Sequence, residues 1–118
     1  MGPPLLLHNP NCSKSRGALE ILRDRGVEVD VVQYLKAPPD RAQLERIVAG
    51  LDTPPASLVR TGEATFKELG LTKDDIATAD AVVDLLSEHP RLIERPVLVV
   101  GDRSVIGRPP ERVLELLD

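Results

Sequence analysis

The chain contains one cysteine, one tyrosine, one phenylalanine and no tryptophan among its 118 residues. A single cysteine excludes an internal disulfide and a cysteine-rich metal site, so disulfide chemistry would need a thiol from another molecule. The scarcity of aromatic rings and the formal net charge of −4 disfavour nucleic-acid binding, which uses stacking surfaces and basic patches. We therefore expect neither a metal centre nor a nucleic-acid partner.

Long hydrophobic runs are absent as well. No apolar segment approaches the ~20 residues of a membrane-spanning helix. The first residues include three consecutive leucines but no basic segment of the kind that begins a secretory signal. The sequence therefore predicts a soluble cytoplasmic protein with no membrane partner, and its length predicts a single domain over residues 1–118.

The first third of the chain has the pattern of a β-α-β unit. Apolar and β-branched residues predict strands at residues 4–8 and 27–34. Between them, apolar residues at helical spacing predict a helix over residues 13–25, which Gly26 ends. Because a strand, a helix and a second strand in succession form a parallel crossover, we expect the two strands to be parallel neighbours.

Residues 40–90 are predicted to form a helical insert. Asp40 and Gln43 suit a capping box for a helix that runs to about residue 49. Thr78 is expected to open another helix, which ends before Pro90. Shorter helices are expected from Thr53-Pro54, over residues 63–69 and after Thr72.

The remaining residues predict a β-β-α unit. Strands are expected over residues 96–100 and 103–106, with Gly101-Asp102 as the turn between them, and a helix over residues 111–117. The complete pattern is that of an α/β (α+β) fold, in which a four-stranded mixed sheet has helices packed on its faces.

Cys12 lies where the first predicted strand gives way, through Asn9-Pro10-Asn11, to the first helix. A thiol at a helix N-terminus meets unpaired backbone N–H groups and the positive end of the helix dipole, which lower its pKa and make it a reactive thiolate. The same N–H groups, beginning at Ser13, are suited to bind an oxyanion. The alternative is a buried structural cysteine, since free cysteine is among the most buried residue types.

Two neighbours of Cys12 have open roles on the sequence alone. His8 either lowers the thiol pKa as an imidazolium or hydrogen-bonds the loop, or it is a satisfied histidine at the end of a strand. Ser15 follows Cys12 by three residues, where dithiol oxidoreductases have their second cysteine. Its hydroxyl either hydrogen-bonds the thiolate or completes the first turn of the helix.

Five stretches of the chain, taken together, are typical of one known family. They are residues 8–16 (HNPNCSKSR), 34–39 (YLKAPP), 58–60 (LVR), 92–96 (LIERP) and 106–111 (IGRPPE). In this order, and over nearly the whole chain, they resemble the glutaredoxin-coupled arsenate reductase (ArsC) family. One departure is Thr61-Gly62-Glu63, where Gly62 stands in place of the lysine more usual in that loop.

The resemblance implies a thioredoxin-like fold with a helical insert, and a cis peptide bond before Pro96. It also implies that Cys12 is the catalytic thiol and that Arg60, Arg95 and Arg108 bind an oxyanion. From their positions around Cys12, we expect supporting roles for His8, Asn11, Ser13 and Ser15. The implied reaction is the reduction of arsenate to arsenite, with glutathione as co-substrate, glutaredoxin as partner protein and no tightly bound cofactor. Without the resemblance, each of the three arginines could equally be a solvated surface residue.

Other functions remain as alternatives. A phosphatase loop of the Cys-x5-Arg type is excluded, because Ala18 stands six residues after Cys12. A redox-sensing regulator with a Cys-x-x-Cys switch is disfavoured by Ser15. A glutathione-dependent thiol oxidoreductase acting on another substrate, and a non-catalytic thioredoxin-like interaction protein, both remain compatible with the sequence.

Overall fold

The computed structural model describes residues 3–117. Its centre is a four-stranded sheet in the order β2-β1-β3-β4, formed by β1 (Leu5–His8), β2 (Asp30–Gln33), β3 (Val97–Val100) and β4 (Arg103–Ile106). The first two strands are parallel, and β3 is antiparallel to both of its neighbours. The predicted mixed sheet is therefore confirmed.

Within residues 3–117, four α-helices and four 3-10 helices surround the sheet. The α-helices are α1 (Ser13–Asp24), α2 (Arg41–Gly50), α3 (Ala64–Glu68) and α4 (Ala79–Glu88). The 3-10 helices are Pro55–Leu58, Lys73–Ile76, Pro90–Leu92 and Pro110–Leu116. Within residues 3–117, no helix is long and apolar enough to cross a membrane.

Several predicted helix starts are confirmed by their hydrogen bonds. The side chain of Asp40 accepts a hydrogen bond from the Gln43 backbone N–H, and the side chain of Gln43 accepts one from the Asp40 backbone N–H. These two bonds form a capping box. A similar box joins Thr72 to Asp75 at the start of the Lys73–Ile76 helix. The Thr78 hydroxyl accepts from the Ala81 N–H at 3.1 Å and so caps α4.

The predicted second strand, residues 27–34, is too long at both ends. The backbone N–H of Val27 donates to Leu22 O at 3.0 Å, which keeps this residue in the turn that ends α1. At the other end, Gln33 O accepts from the N–H groups of Lys36 and Ala37, both at 2.9 Å, and this turn ends the strand before Tyr34. The β-branched pattern alone does not reveal these competing turn hydrogen bonds.

Two other predicted helices are corrected. The short helix expected from Thr53 begins instead at Pro55, with Pro54 before it, because the first hydrogen bond of the helix runs from the Ser57 N–H to Pro54 O at 2.9 Å. The last helix winds as a 3-10 helix from Pro110 to Leu116, so its hydrogen bonds reach back three residues rather than four.

The sheet is the middle layer, with a separate apolar cluster on each face. On one face, the strands pack against α1 and the last 3-10 helix, through Leu6, Ala18, Leu22, Leu98, Val105 and Val113. On the other face they pack against the insert, through Leu7, Leu44, Ile47, Val82, Leu86, Val97 and Val99. This layering of a mixed sheet between a β-α-β crossover and a helical insert is the predicted thioredoxin-like fold.

Candidate functional site

Cys12 is the residue that precedes the first turn of α1, and it is partly buried. Its backbone N–H donates to Asn9 O at 3.0 Å, and its carbonyl accepts the Arg16 N–H at 3.0 Å. The Asn9 side chain accepts the N–H of the exposed Asn11 at 2.9 Å, and the Arg16 side chain donates to Pro10 O at 3.1 Å. The loop between β1 and α1 is thus held by hydrogen bonds on both sides of the cysteine.

The surroundings of Cys12 favour its thiolate. Partial burial acts to raise the pKa of the thiol, but the polar groups around it outweigh this effect. The backbone N–H of Ser15, the guanidinium of Arg95 and the backbone N–H of Lys14 all favour the thiolate, and together they lower the pKa of Cys12 below its ordinary value. The two N–H groups are free because the first turn of a helix leaves its amides unpaired. The side chain of Ser13 is exposed.

His8 and Ser15 form a buried pair beneath the loop. His8 Nδ1 lies 2.7 Å from Ser15 Oγ, and this hydroxyl oxygen also accepts the Asn9 N–H at 3.0 Å. Burial lowers the pKa of His8, and the nearby charges of Arg23 and Arg16 lower it further, so the imidazole is neutral at pH 7. These contacts do not fit the imidazolium role considered for His8, and they direct the Ser15 hydroxyl to His8 rather than to the thiolate.

Arg95 is the arginine that contacts Cys12. Its guanidinium helps to lower the pKa of the thiol, while its Nε atom is buried and has no hydrogen-bond partner within residues 3–117. The Arg95–Pro96 peptide bond is cis, as the sequence resemblance implied, and the Arg108–Pro109 bond is cis as well. Arg95 therefore places positive charge next to the sulfur and still has a donor available.

Backbone pairing places Arg60 beside the segment that leads to Arg95. Val59 and Ile93 form an antiparallel bridge. On either side of it, the Arg60 N–H donates to Leu92 O at 2.8 Å, and the Glu94 N–H donates to Leu58 O at 2.7 Å. The guanidinium of Arg60 forms an ion pair with Glu63 at 3.0 Å.

Arg108 is tied to the same segment from the other side. Its Nη1 donates to Arg95 O at 3.0 Å and lies 3.7 Å from Glu94 Oε1. The structure thus brings Arg60 and Arg108 next to the segment that contains Arg95. In the part of the chain that is described, no hydrogen bond joins Cys12 to Arg60 or Arg108.

Tyr34 is a further residue of this region, and the sequence reasoning did not single it out as a site residue. It is fully buried, and burial raises the pKa of its phenol, while Arg95, the Asn9 side chain and Arg60 act in the opposite direction. Its phenol therefore lies within the influence of both Arg60 and Arg95. The sequence did contain one signal for Tyr34, namely that it is the only tyrosine of the chain.

Metal-binding clusters are not part of this region. Within residues 3–117, no group of three or more His, Cys, Asp or Glu side chains could hold a metal ion. The arrangement instead offers a thiolate, helix amides and guanidinium groups, which can bind and attack an electrophilic oxyanion.

Comparison with known proteins assigns the chain to a family, because residues 7–116 match the model of the ArsC family. The chain belongs to the ArsC family. It is similar to the uncharacterized protein YfgD of Escherichia coli K12, with 42% identity over 113 residues, covering 95% of this chain and 94% of that protein. An arsenate reductase of Neisseria meningitidis serogroup A is 38% identical, covering 95% and 96% of the two chains.

The structures of ArsC proteins agree with this assignment. The solved structure of an arsenate reductase from Vibrio cholerae is 39% identical and superposes with a TM-score of 0.87, covering 97% of each chain. The thioredoxin-like fold with its insert is therefore shared over nearly the full length of the ArsC chain described here.

Proposed function

We propose that this ArsC-family protein is an arsenate reductase, with Cys12 as its catalytic thiol. The observation that carries the proposal is the contact of a thiol of lowered pKa with both the amides of α1 and the Arg95 guanidinium. Such a site stabilises a thiolate and can also stabilise the negative oxygens of a bound oxyanion. The names of relatives at 38% and 39% identity support the same activity.

In the proposed reaction, Arg60, Arg95 and Arg108 bind the oxygens of arsenate and the Cys12 thiolate attacks arsenic(V). An S–As bond forms, and one arsenate oxygen leaves as water after it is protonated. Arg95 has the most direct role, because it contacts the attacking sulfur and retains a buried Nε donor without a partner within residues 3–117. His8 and Ser15 have a supporting role beneath the loop, while Asn11 and Ser13 form its turn and the start of α1.

An external thiol must complete the reduction, since Cys12 is the only cysteine of the chain. We propose glutathione as co-substrate, whose sulfur displaces a second oxygen from arsenic. A glutaredoxin thiolate then attacks the glutathione sulfur, which forms a disulfide and leaves an electron pair on arsenic, now arsenic(III). Water finally releases arsenite and restores the Cys12 thiol. Reduced glutathione and glutaredoxin are cytoplasmic reductants, so we place the protein there.

The test is arsenate-dependent oxidation of NADPH in a mixture of this protein, glutathione, glutaredoxin and glutathione reductase. We expect turnover with the wild type and none with Cys12→Ser, which retains the size of the side chain but lacks the nucleophile. Equal rates in the two proteins would contradict the role of Cys12. Turnover with thioredoxin and thioredoxin reductase, but none with glutathione and glutaredoxin, would retain the reductase and contradict its proposed partners.

A second candidate is a glutathione-dependent thiol oxidoreductase that acts on another substrate. It would use the same Cys12 thiolate, and the name of YfgD, which is 42% identical to this chain, states no substrate. This function predicts that Cys12 exchanges with a glutathionylated peptide at a rate that arsenate does not change. Absence of that exchange, together with arsenate-dependent turnover, would exclude it.

A further inference from the structure

Two of the three arginines proposed to bind the oxyanion already have carboxylate partners. Arg60 Nη1 lies 3.0 Å from Glu63 Oε2, and Arg108 Nη1 lies 3.7 Å from Glu94 Oε1. Both carboxylates are shielded from water, with side-chain exposures of 22% for Glu63 and 21% for Glu94. These pairs differ from the surface ion pair of Arg41 and Glu45, whose side chains are 51% and 58% exposed.

The three guanidinium groups therefore have counter-ions before any ligand arrives. The two carboxylates and the Cys12 thiolate together match the three guanidinium groups. A doubly charged oxyanion that binds all three arginines competes with Glu63 and Glu94 for their positive charge, because a guanidinium that is already paired offers less attraction to a second anion. Arg95 is the exception, since its buried Nε has no partner within residues 3–117.

We infer that Glu63 and Glu94 are affinity-determining residues, which hold Arg60 and Arg108 as internal counter-ions and are displaced when an oxyanion of the phosphate or arsenate type binds. The inference rests on the proposed function in one respect, namely that the three arginines form the anion site. In this arrangement Arg95 makes the first contact with the anion. The anion then binds Arg60 and Arg108, and their ion pairs with Glu63 and Glu94 break.

The test uses inorganic phosphate as the probe, because phosphate has the shape and charge of arsenate but is not reduced. We measure the phosphate concentration that half-protects Cys12 from alkylation by iodoacetamide, at constant ionic strength, in the full-length protein. For Glu63→Gln and for Glu94→Gln we expect this concentration to fall by about fivefold, the change expected for removal of one competing ion pair. Glutamine retains the shape of the side chain and removes its charge.

The chain provides a matched control. Arg112 and Glu115 have the same i, i+3 spacing as Arg60 and Glu63, and their Nε–Oε2 distance is also 3.0 Å. Glu115→Gln removes the same charge from the protein without touching the proposed anion site. We expect its half-protecting phosphate concentration to equal that of the wild type.

A double variant separates competition between Glu63 and phosphate for Arg60 from a general change in the electrostatic potential of the anion site. In Arg60→Ala, Glu63 has no guanidinium to occupy, so adding Glu63→Gln should no longer improve protection by phosphate. A persistent fivefold gain in this background would overturn the inference. Unchanged protection in both single variants, or no protection by phosphate in any protein, would overturn it as well.

Arsenate kinetics then distinguish this inference from the proposed function. If the protein reduces arsenate, Glu63→Gln should lower the KM for arsenate about fivefold without raising kcat, because the glutamate affects binding and not the reacting atoms. If arsenate is not reduced at all, the proposed function fails, and the phosphate experiment still decides whether the carboxylates compete for the anion site.

Discussion

Ser15→Ala is the substitution that best separates the two possible roles of Ser15. In the structure, the Ser15 hydroxyl bonds to His8 and to the Asn9 N–H, whereas the Ser15 backbone N–H is one of the groups that lower the pKa of Cys12. Alanine removes the hydroxyl and retains the amide. We therefore expect a less stable protein whose thiol remains as reactive as in the wild type.

The loss of stability follows from two groups that lose their partner. Each buried polar group left without a hydrogen bond costs about 1–3 kcal/mol. The amide of the partly buried Asn9 belongs to the lower part of this range because water can reach it, which gives about 2–4 kcal/mol for the pair. With an unfolding entropy of about 2.1 cal/mol/K per residue, a chain of 118 residues loses about 4 °C of Tm per kcal/mol, so we expect a fall of about 8–16 °C.

Thermal unfolding followed by circular dichroism measures the fall in Tm, and iodoacetamide alkylation against pH measures the state of the thiol. Ser13→Ala is the control, since it removes an exposed hydroxyl from the same helix turn and should change stability by less than about 0.5 kcal/mol. An unchanged Tm in Ser15→Ala would refute the buried hydrogen bonds. A raised alkylation midpoint with an unchanged Tm would show that the hydroxyl acts on the thiolate.

Two other predictions concern the charges around the thiol. Arg95→Ala removes the positive charge that favours the Cys12 thiolate, so the pH midpoint of alkylation should rise. The kcat/KM for arsenate should fall by about ten- to a hundredfold, as expected for the loss of a charge-assisted contact of about 1.5–3 kcal/mol. An unchanged alkylation midpoint would contradict the role of Arg95. The lowered pKa of His8 means that the unfolded chain takes up a proton first as the pH falls, so the free energy of unfolding should decrease between pH 7 and 5.5. Urea titrations should show a flatter dependence in His8→Gln, and equal slopes in both proteins would rule out His8 as the cause.

Local sequence patterns were sufficient to predict the architecture. The capping box of Asp40 and Gln43 involves residues three apart, so their identity alone fixes where α2 begins. The parallel pairing of β1 and β2 follows from the handed connection between them. Errors arose where a competing turn was equally local but carried no residue signature, as at Gln33, whose carbonyl accepts two turn hydrogen bonds and ends β2.

The candidate site was less accessible to sequence reasoning, because its contacts join distant segments. Cys12 was recognisable from the strand-to-helix junction, and the arginines were recognisable only from the family resemblance. The pairing of Arg60 with Glu63 is local and could have been noticed at i, i+3. The predicted hairpin of β3 and β4 brings the residues around Glu94 and Arg108 together, but no sequence signal indicated that these two side chains would pair.

The bridge between Val59 and Ile93 has a consequence for how this fold can be altered. A shortened chain lacking residues 40–90 would preserve all four strands, and by topology alone it would look like a complete minimal domain. It would nevertheless lose Arg60, leave the Glu94 amide without its acceptor directly before Arg95, and uncover the apolar face that includes Leu7. The insert is thus a structural part of the proposed anion site, and exchanging it between related proteins would exchange Arg60 and its surroundings along with it.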